Sequence, residues 1–276
     1  MVPSELVIEG TPRPRILPSL YELWAYRGTV AAFAERNIRV KYKQTALGIG
    51  WAVIQPLIFM GVFTLALGRA AGVSGGGVNY AAFSLATLVG WTYLQTGLTF
   101  GSTAVIASAS LIRKVYFPRE VPVVAAMIGS GLDLAIGFLL FFALGPILGA
   151  TVSWTWVLAP LLAIPLAVLG TGVAMMLAAF NVYYRDFRHA LPFFIQLWLF
   201  ASPVAYPLTV IEEQWRIPFA IANPAVGILD SFRLTLTRGQ LPDPVLLGIG
   251  VAGSLVIVLL GYRIFKGLEP GFADVV

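Results

Sequence analysis

The chain has no cysteine and a single histidine, His189. A disulfide framework and a thiolate metal site are therefore excluded, and no His/Cys set stands at metal-ligand spacing. Charge is almost as scarce: 11% of the 276 residues are Asp, Glu, Lys or Arg, against about 25% in an ordinary soluble domain. Acids are the rarer sign, and the only paired carboxylates, Glu212 and Glu213, are chain neighbours, which is no acid/base arrangement. There is no Gly-x-x-x-x-Gly-Lys-[Ser/Thr] loop, so no ATP site of that type is expected, and no HExxH. Gly72-Val-Ser-Gly-Gly76 matches a nucleophile elbow by letter, but it lies in a glycine-rich loop rather than a strand–turn–helix. The first 45 residues lack an apolar core followed by a small-residue cleavage site, so the first membrane helix is expected to act as an uncleaved signal.

What the chain has instead is apolar length. Residues 70–112 carry no charge, and residues 121–184 carry one, Asp133. Since about 20 apolar residues cross a bilayer, the chain reads as an all-α, multi-pass membrane protein. Six transmembrane helices are expected, near 45–67, 79–107, 121–150, from a hairpin at 151–156 to about 181, from 190 to the prolines 203 and 207, and 245–262. Between the last two, residues 203–243 hold apolar pieces too short to cross, which suits re-entrant helices on the external side. With this topology 14 cations fall inside and four, Arg69, Arg216, Arg233 and Arg238, outside, so both termini are expected in the cytoplasm. The net charge of +5 does not point to nucleic acid. Its cations flank apolar spans, where anionic membrane lipid is the natural partner.

Three regions stand out. Residues 1–18 are Pro-rich and read as a mobile tail, and residues 267–276 as a C-terminal one. Residues 19–44 follow, with Leu20, Leu23, Trp24, Arg27, Val30, Phe33 and Ala34 at helical spacing, as in an interfacial amphipathic helix. The basic run Arg36, Arg39, Lys41 and Lys43 then anchors the first span, with a headgroup or phosphate contact as a second possible role. The third region is the basic, aromatic island Leu111-Ile-Arg-Lys-Val-Tyr-Phe-Pro-Arg-Glu120 between the two uncharged runs. It is a topology signal or a docking element, a short helix capped by Ser108 or Ser110 and ended by Pro118. A bare topology signal needs no aromatics, which favours docking. Within the spans, Trp51, Gln55, Phe59 and Phe63 form a stripe that lines a pathway or packs inside. Asp133, about 18 Å past Val121 at ~1.5 Å per residue, is a functional acid or a hydrogen-bonded one between helices.

Taken in order, Arg39-Val-Lys-Tyr-Lys-Gln-Thr-Ala-Leu-Gly48, Trp51-x-x-x-x-Pro56, Gly90-Trp91, the island, Tyr184-Arg-Asp186, Ser202-Pro-Val-Ala-Tyr-Pro207, Asn223-Pro224 and Phe232-Arg233 resemble the transmembrane subunits of ABC-2 type polysaccharide and polyol-phosphate exporters, the O-antigen, teichoic acid and galactan exporter permeases. The resemblance covers residues 21–266 and makes 45–266 one six-span domain. It implies a permease that is not itself an enzyme, in the bacterial cytoplasmic membrane. Two copies would form a homodimeric channel for a polysaccharide linked to polyprenyl diphosphate, and two copies of a separate ATPase would hold the ATP and Mg2+. It implies that 108–120 is the coupling helix, with Leu111, Arg113, Lys114, Val115, Tyr116, Phe117, Pro118, Arg119 and Glu120 docking the ATPase. Tyr21, Trp24, Arg27, Arg36, Arg39, Lys41 and Lys43 would line the substrate entrance. Trp51, Gln55, Phe59, Trp91, Tyr93, Asp133, Trp198 and Tyr206 are the channel candidates, and no residue is expected to bind a metal. A drug or small-lipid exporter of the same type is the alternative; a membrane enzyme acting on polyprenyl-linked sugars would need an intramembrane acid cluster that is absent.

Overall fold

The computed structural model describes residues 20–272 apart from 44, 74, 76, 113 and 185, and side chains from residue 23 onward. The expected tail over 1–18, the end of the C-terminal tail, the side chain of Tyr21 and the docking role of Arg113 lie outside the described residues. Every regular element among those described is helical.

The chain enters through α1 (Leu20–Ala25) and α2 (Arg27–Tyr42). The expected amphipathic helix is thus broken at Tyr26, and α2 runs on through most of the basic run. α3 (Trp51–Phe63) passes Pro56 and continues as a π-helical turn over Thr64–Ala70. α4 (Tyr80–Ala107) starts where the Asn79 side chain accepts a hydrogen bond from the Ala81 N–H at 3.0 Å, an N-cap. The one-turn α5 (Ala109–Ile112) follows, then α6 (Val121–Leu144), α7 (Ala159–Tyr183) and α8 (Phe187–Phe200). Two short helices, α9 (Glu213–Ala222) and α10 (Ala225–Arg233), precede α11 (Pro244–Leu268). Asp243 caps α11, accepting from the N–H groups of Val245 and Leu246, and Pro244 stands at the first helical position, where its missing N–H costs nothing.

Among the described residues four helical stretches are long and apolar enough to cross a membrane: Gly48–Ala70, Val121–Leu144, Trp154–Tyr183 and Pro244–Gly271. α4 has the length, 28 residues, but is diluted by Ser, Thr and Gly. Those residues make it the central helix. A Cβ on Gly97 would meet Met127 of α6, one on Gly101 would meet Ala174 of α7, and one on Gly90 would meet Leu229 of α10, so small residues let three neighbours close in. α8 has 14 residues, about 21 Å at ~1.5 Å per residue, and starts at Phe187, three residues before the expected span. It stops at the turn before the prolines 203 and 207.

The bundle has two distinguishable ends. At the near end, the 108–120 turn meets the C-terminal part of α11 through Lys266–Glu120 and Arg119–Glu269 ion pairs. At the far end lie the 201–212 segment, α9, α10 and the π-helical turn Leu234–Arg238, which Gly239 ends at φ 63°. The apolar pieces expected to be too short to cross, 217–221 and 225–229, fall in α9 and α10.

Candidate functional site

At the near end only the first two residues of the island, Leu111 and Ile112, belong to the single turn α5, and the rest leaves the helix. Its backbone N–H groups at Lys114 and Val115 still bond to the Leu111 carbonyl, so the helical run ends before Pro118 rather than at it. The turn presents Leu111, Lys114, Val115 and Tyr116 outward, with Tyr116 83% exposed. The other expected docking residues point in. Phe117 is 8% exposed, with its ring centroid 5.4 Å from that of Phe33 on α2. Pro118 is buried. Glu120 accepts from Lys266 at 2.8 Å, and Arg119, half-buried, donates to the Glu269 backbone carbonyl. Phe117, Pro118, Arg119 and Glu120 therefore hold the turn in place from its inner side.

α2 packs along α6 and does not stand apart from the bundle. Val30, Phe33 and Ala34 form an apolar cluster with Phe117, Val121 and Ala125, and Gly129 of α6 leaves room for the α2 backbone at Ala34. At its end Lys41 reaches both Asp133 carboxylate oxygens at 2.7 Å, and the Tyr42 hydroxyl donates to the same carboxylate. Burial pulls the Lys41 ammonium below the usual lysine value, against the upward pull of Asp133, while burial and Asp133 together push the Tyr42 phenol up. An expected entrance residue and an expected channel residue are thus one ion pair. Trp24, Arg27, Arg36, Arg39 and Lys43 lie along the exposed side; Arg36 donates to the Ala107 carbonyl at 3.3 Å, and Arg39 pairs with Glu35 one turn away.

The channel candidates do not share one surface. Trp51 is exposed on α3, with Gln55 and Phe59 half-buried below it. Trp91 and Tyr93, 1% and 3% exposed, sit inside the helical bundle because α4 is covered on all sides over this stretch. They face neighbouring helices. Trp91 meets Trp198 edge-on at 5.8 Å, and Trp198 in turn donates to the Asn223 side chain at 3.0 Å. Tyr206 donates to the Phe200 carbonyl.

The far end holds what sequence reasoning missed. Residues 202–205 are buried without being helical, so their carbonyls need partners. Three successive ones find side chains from other elements: Arg233 donates to Pro203, Thr87 to Val204 and Tyr80 to Ala205. Arg233 is itself 2% exposed, pairs with Asp230 at 2.9 Å and lies 4.0 Å over the Phe83 ring. The signal available was an arginine amid apolar residues on the cation-poor side. Among the described residues no group of three or more His, Cys, Asp or Glu could hold a metal ion.

Comparisons with known proteins give relatives over most of the chain. The chain is 27% identical over 258 residues to the O-antigen export system permease protein RfbA of Myxococcus xanthus, covering 92% of this chain and 97% of that protein. It is 25% identical over 263 residues to the protein of the same name from Klebsiella pneumoniae, with the same coverage. To the polysialic acid transport protein KpsM of Escherichia coli it is 20% identical over 255 residues, covering 87% and 93%. The ABC-2 type transporter family matches residues 29–237, from α2 to the turn before Gly239. A match over three quarters of the chain places this multi-pass membrane protein in the ABC-2 type transporter family.

Proposed function

We propose that the chain is the permease subunit of an ATP-driven exporter that moves a polysaccharide, linked to a polyprenyl diphosphate lipid, across the bacterial cytoplasmic membrane through a channel between two copies. The observation that carries this is end-to-end similarity to permeases named for O-antigen and to a transporter named for polysialic acid. What those glycans share is being polymers. In this reading α4 and α8 complete six crossings, α8 with the turn that follows it, and α9 and α10 are re-entrant on the external side. α1 and α2 lie at the interface as the gate. The near end is cytoplasmic, which its excess of cations supports, and both termini lie there. Two ATPase subunits bind the near end and supply ATP and Mg2+; this chain catalyses nothing.

The geometry supplies a route for the work. An ATPase gripping Val115 and Tyr116 would move a turn whose next residue, Phe117, is seated on Phe33 of the gate, and whose Glu120 is tied to Lys266 of α11. One contact site thus reaches both the entrance and the helix that runs to the far end. The test is copurification from mild detergent with an ATPase assay. A P-loop ATPase in one-to-one ratio, lost on Tyr116→Ala together with Val115→Asp, is the expected result. A chain that purifies alone, or keeps its ATPase through both changes, overturns the docking assignment.

A further inference from the structure

The far end contains a cavity of about 370 Å3 between the 207–209 segment, α9, α10 and the start of α11. That lies at the small end of the ~300–1,000 Å3 typical of ligand pockets. Its floor includes buried Phe83 and Arg233, and its rim includes exposed Glu213, Asp243 and Val245. Six charged side chains line it: Glu213, Asp230 and Asp243 against Arg216, Arg233 and Arg238. Leu208, Ile217 and Leu246 supply apolar wall. Two polar groups here are unspent among the described residues. The Nε–H of Arg233 is buried with no hydrogen-bond partner, and the Glu213 carboxylate has neither a hydrogen bond nor an ion pair.

The charge balance selects the ligand. An anion would meet three carboxylates and a cation three guanidiniums, and each would be opposed as strongly as it is attracted. A neutral molecule with many hydroxyls suits the lining, because its O–H groups donate to carboxylates while its oxygens accept from arginines. A pyranose also has an apolar C–H face for the aliphatic wall. We propose that this cavity binds one neutral pyranose unit, as a subsite for the polymer at the exit end. That the unit belongs to the exported polymer rests on the exporter reading; the sugar chemistry of the cavity does not.

The test uses the permease with its ATPase in lipid nanodiscs and saturation-transfer NMR. The probes are the methyl glycosides of glucose, galactose and mannose, with inorganic phosphate as competitor. Wild type should transfer saturation to the ring protons of at least one glycoside. Glu213→Gln with Arg216→Gln, which remove two lining charges, should weaken binding by about tenfold or more, the loss expected for charge-assisted hydrogen bonds, and Ile217→Trp, which fills the wall, should block it. Melting temperature reports folding for both variants. Absence of any glycoside signal in wild type, survival of binding in a folded form of either variant, or displacement of the sugar by phosphate overturns the proposal. Deleting the gene and measuring surface polysaccharide tests the exporter reading separately. Unchanged polysaccharide sinks that reading whatever the cavity binds, whereas lost polysaccharide with no glycoside binding sinks the cavity alone.

Discussion

The two ends of the bundle are held in different ways. The near end is fastened by a few side chains that reach across long sequence distances, Phe117 to Phe33 and Glu120 to Lys266, and Lys41 reaches Asp133 further along α6. The far end is fastened at the level of the backbone. A Cβ on Gly227 would collide with the Leu246 carbonyl, and one on Gly253 with the Pro224 ring. Three buried carbonyls hang there on Arg233, Thr87 and Tyr80. Side-chain ties can be remade with a small movement, whereas backbone contact at close range leaves little play. The difference suits a near end that receives motion and a far end that moves as a packed block.

Breaking the far end should therefore cost most. Arg233→Ala takes from the largely buried Asp230 its ion-pair partner and from the buried Pro203 carbonyl its donor, and breaking such a pair costs about 3–5 kcal/mol. The expected outcome is loss of folded protein on size-exclusion chromatography in detergent. Gly227→Val forces α10 off α11 and should cost about 1–3 kcal/mol or more, read as a lower melting temperature. The side-chain ties should give less. Lys41→Met, Asp133→Asn and the double variant form a cycle whose coupling energy is expected at about 1–3 kcal/mol; additive effects would show that the pair does not hold α2 to α6. Smallest in stability is Tyr116→Ala, expected within about 0.5 kcal/mol because the ring is exposed. The same substitution should weaken ATPase binding by about 2 kcal/mol, as loss of an aromatic anchor does. A Tyr116→Ala protein that unfolds would erase the contrast between the ends.

Much of the helix order was legible. α4, α6, α7 and α11 begin within a few residues of the expected starts, because uncharged runs and capping residues such as Asn79 and Asp243 mark them locally. The island was legible as a turn for the same reason. Which of its residues face outward was not. Phe117 and Glu120 are turned inward by partners 84 and 146 positions away, Phe33 and Lys266, and nothing local signals such a contact. The burial of Trp91 and Tyr93 was not legible either, because aromatics on a central helix have no outward face to show in their spacing. Asp133 was conspicuous as the sole charge in its run, yet its partner came from a basic stretch whose every member looked alike.

α11 touches both ends, and its closest approach to α7, along which it packs, falls off-centre. Gly261 lies against the Gly172 backbone, so the two helices meet there without intervening side chains. From that point Lys266 is five residues away and Gly250, against Pro224 and Ile228, is eleven, or about 8 Å and 16 Å at ~1.5 Å per residue. A helix that tilts about such a point is a lever with unequal arms. A small sideways pull on Lys266 at the near end would swing the Gly250 region roughly twice as far the opposite way, and with it the short helices that line the far-end cavity.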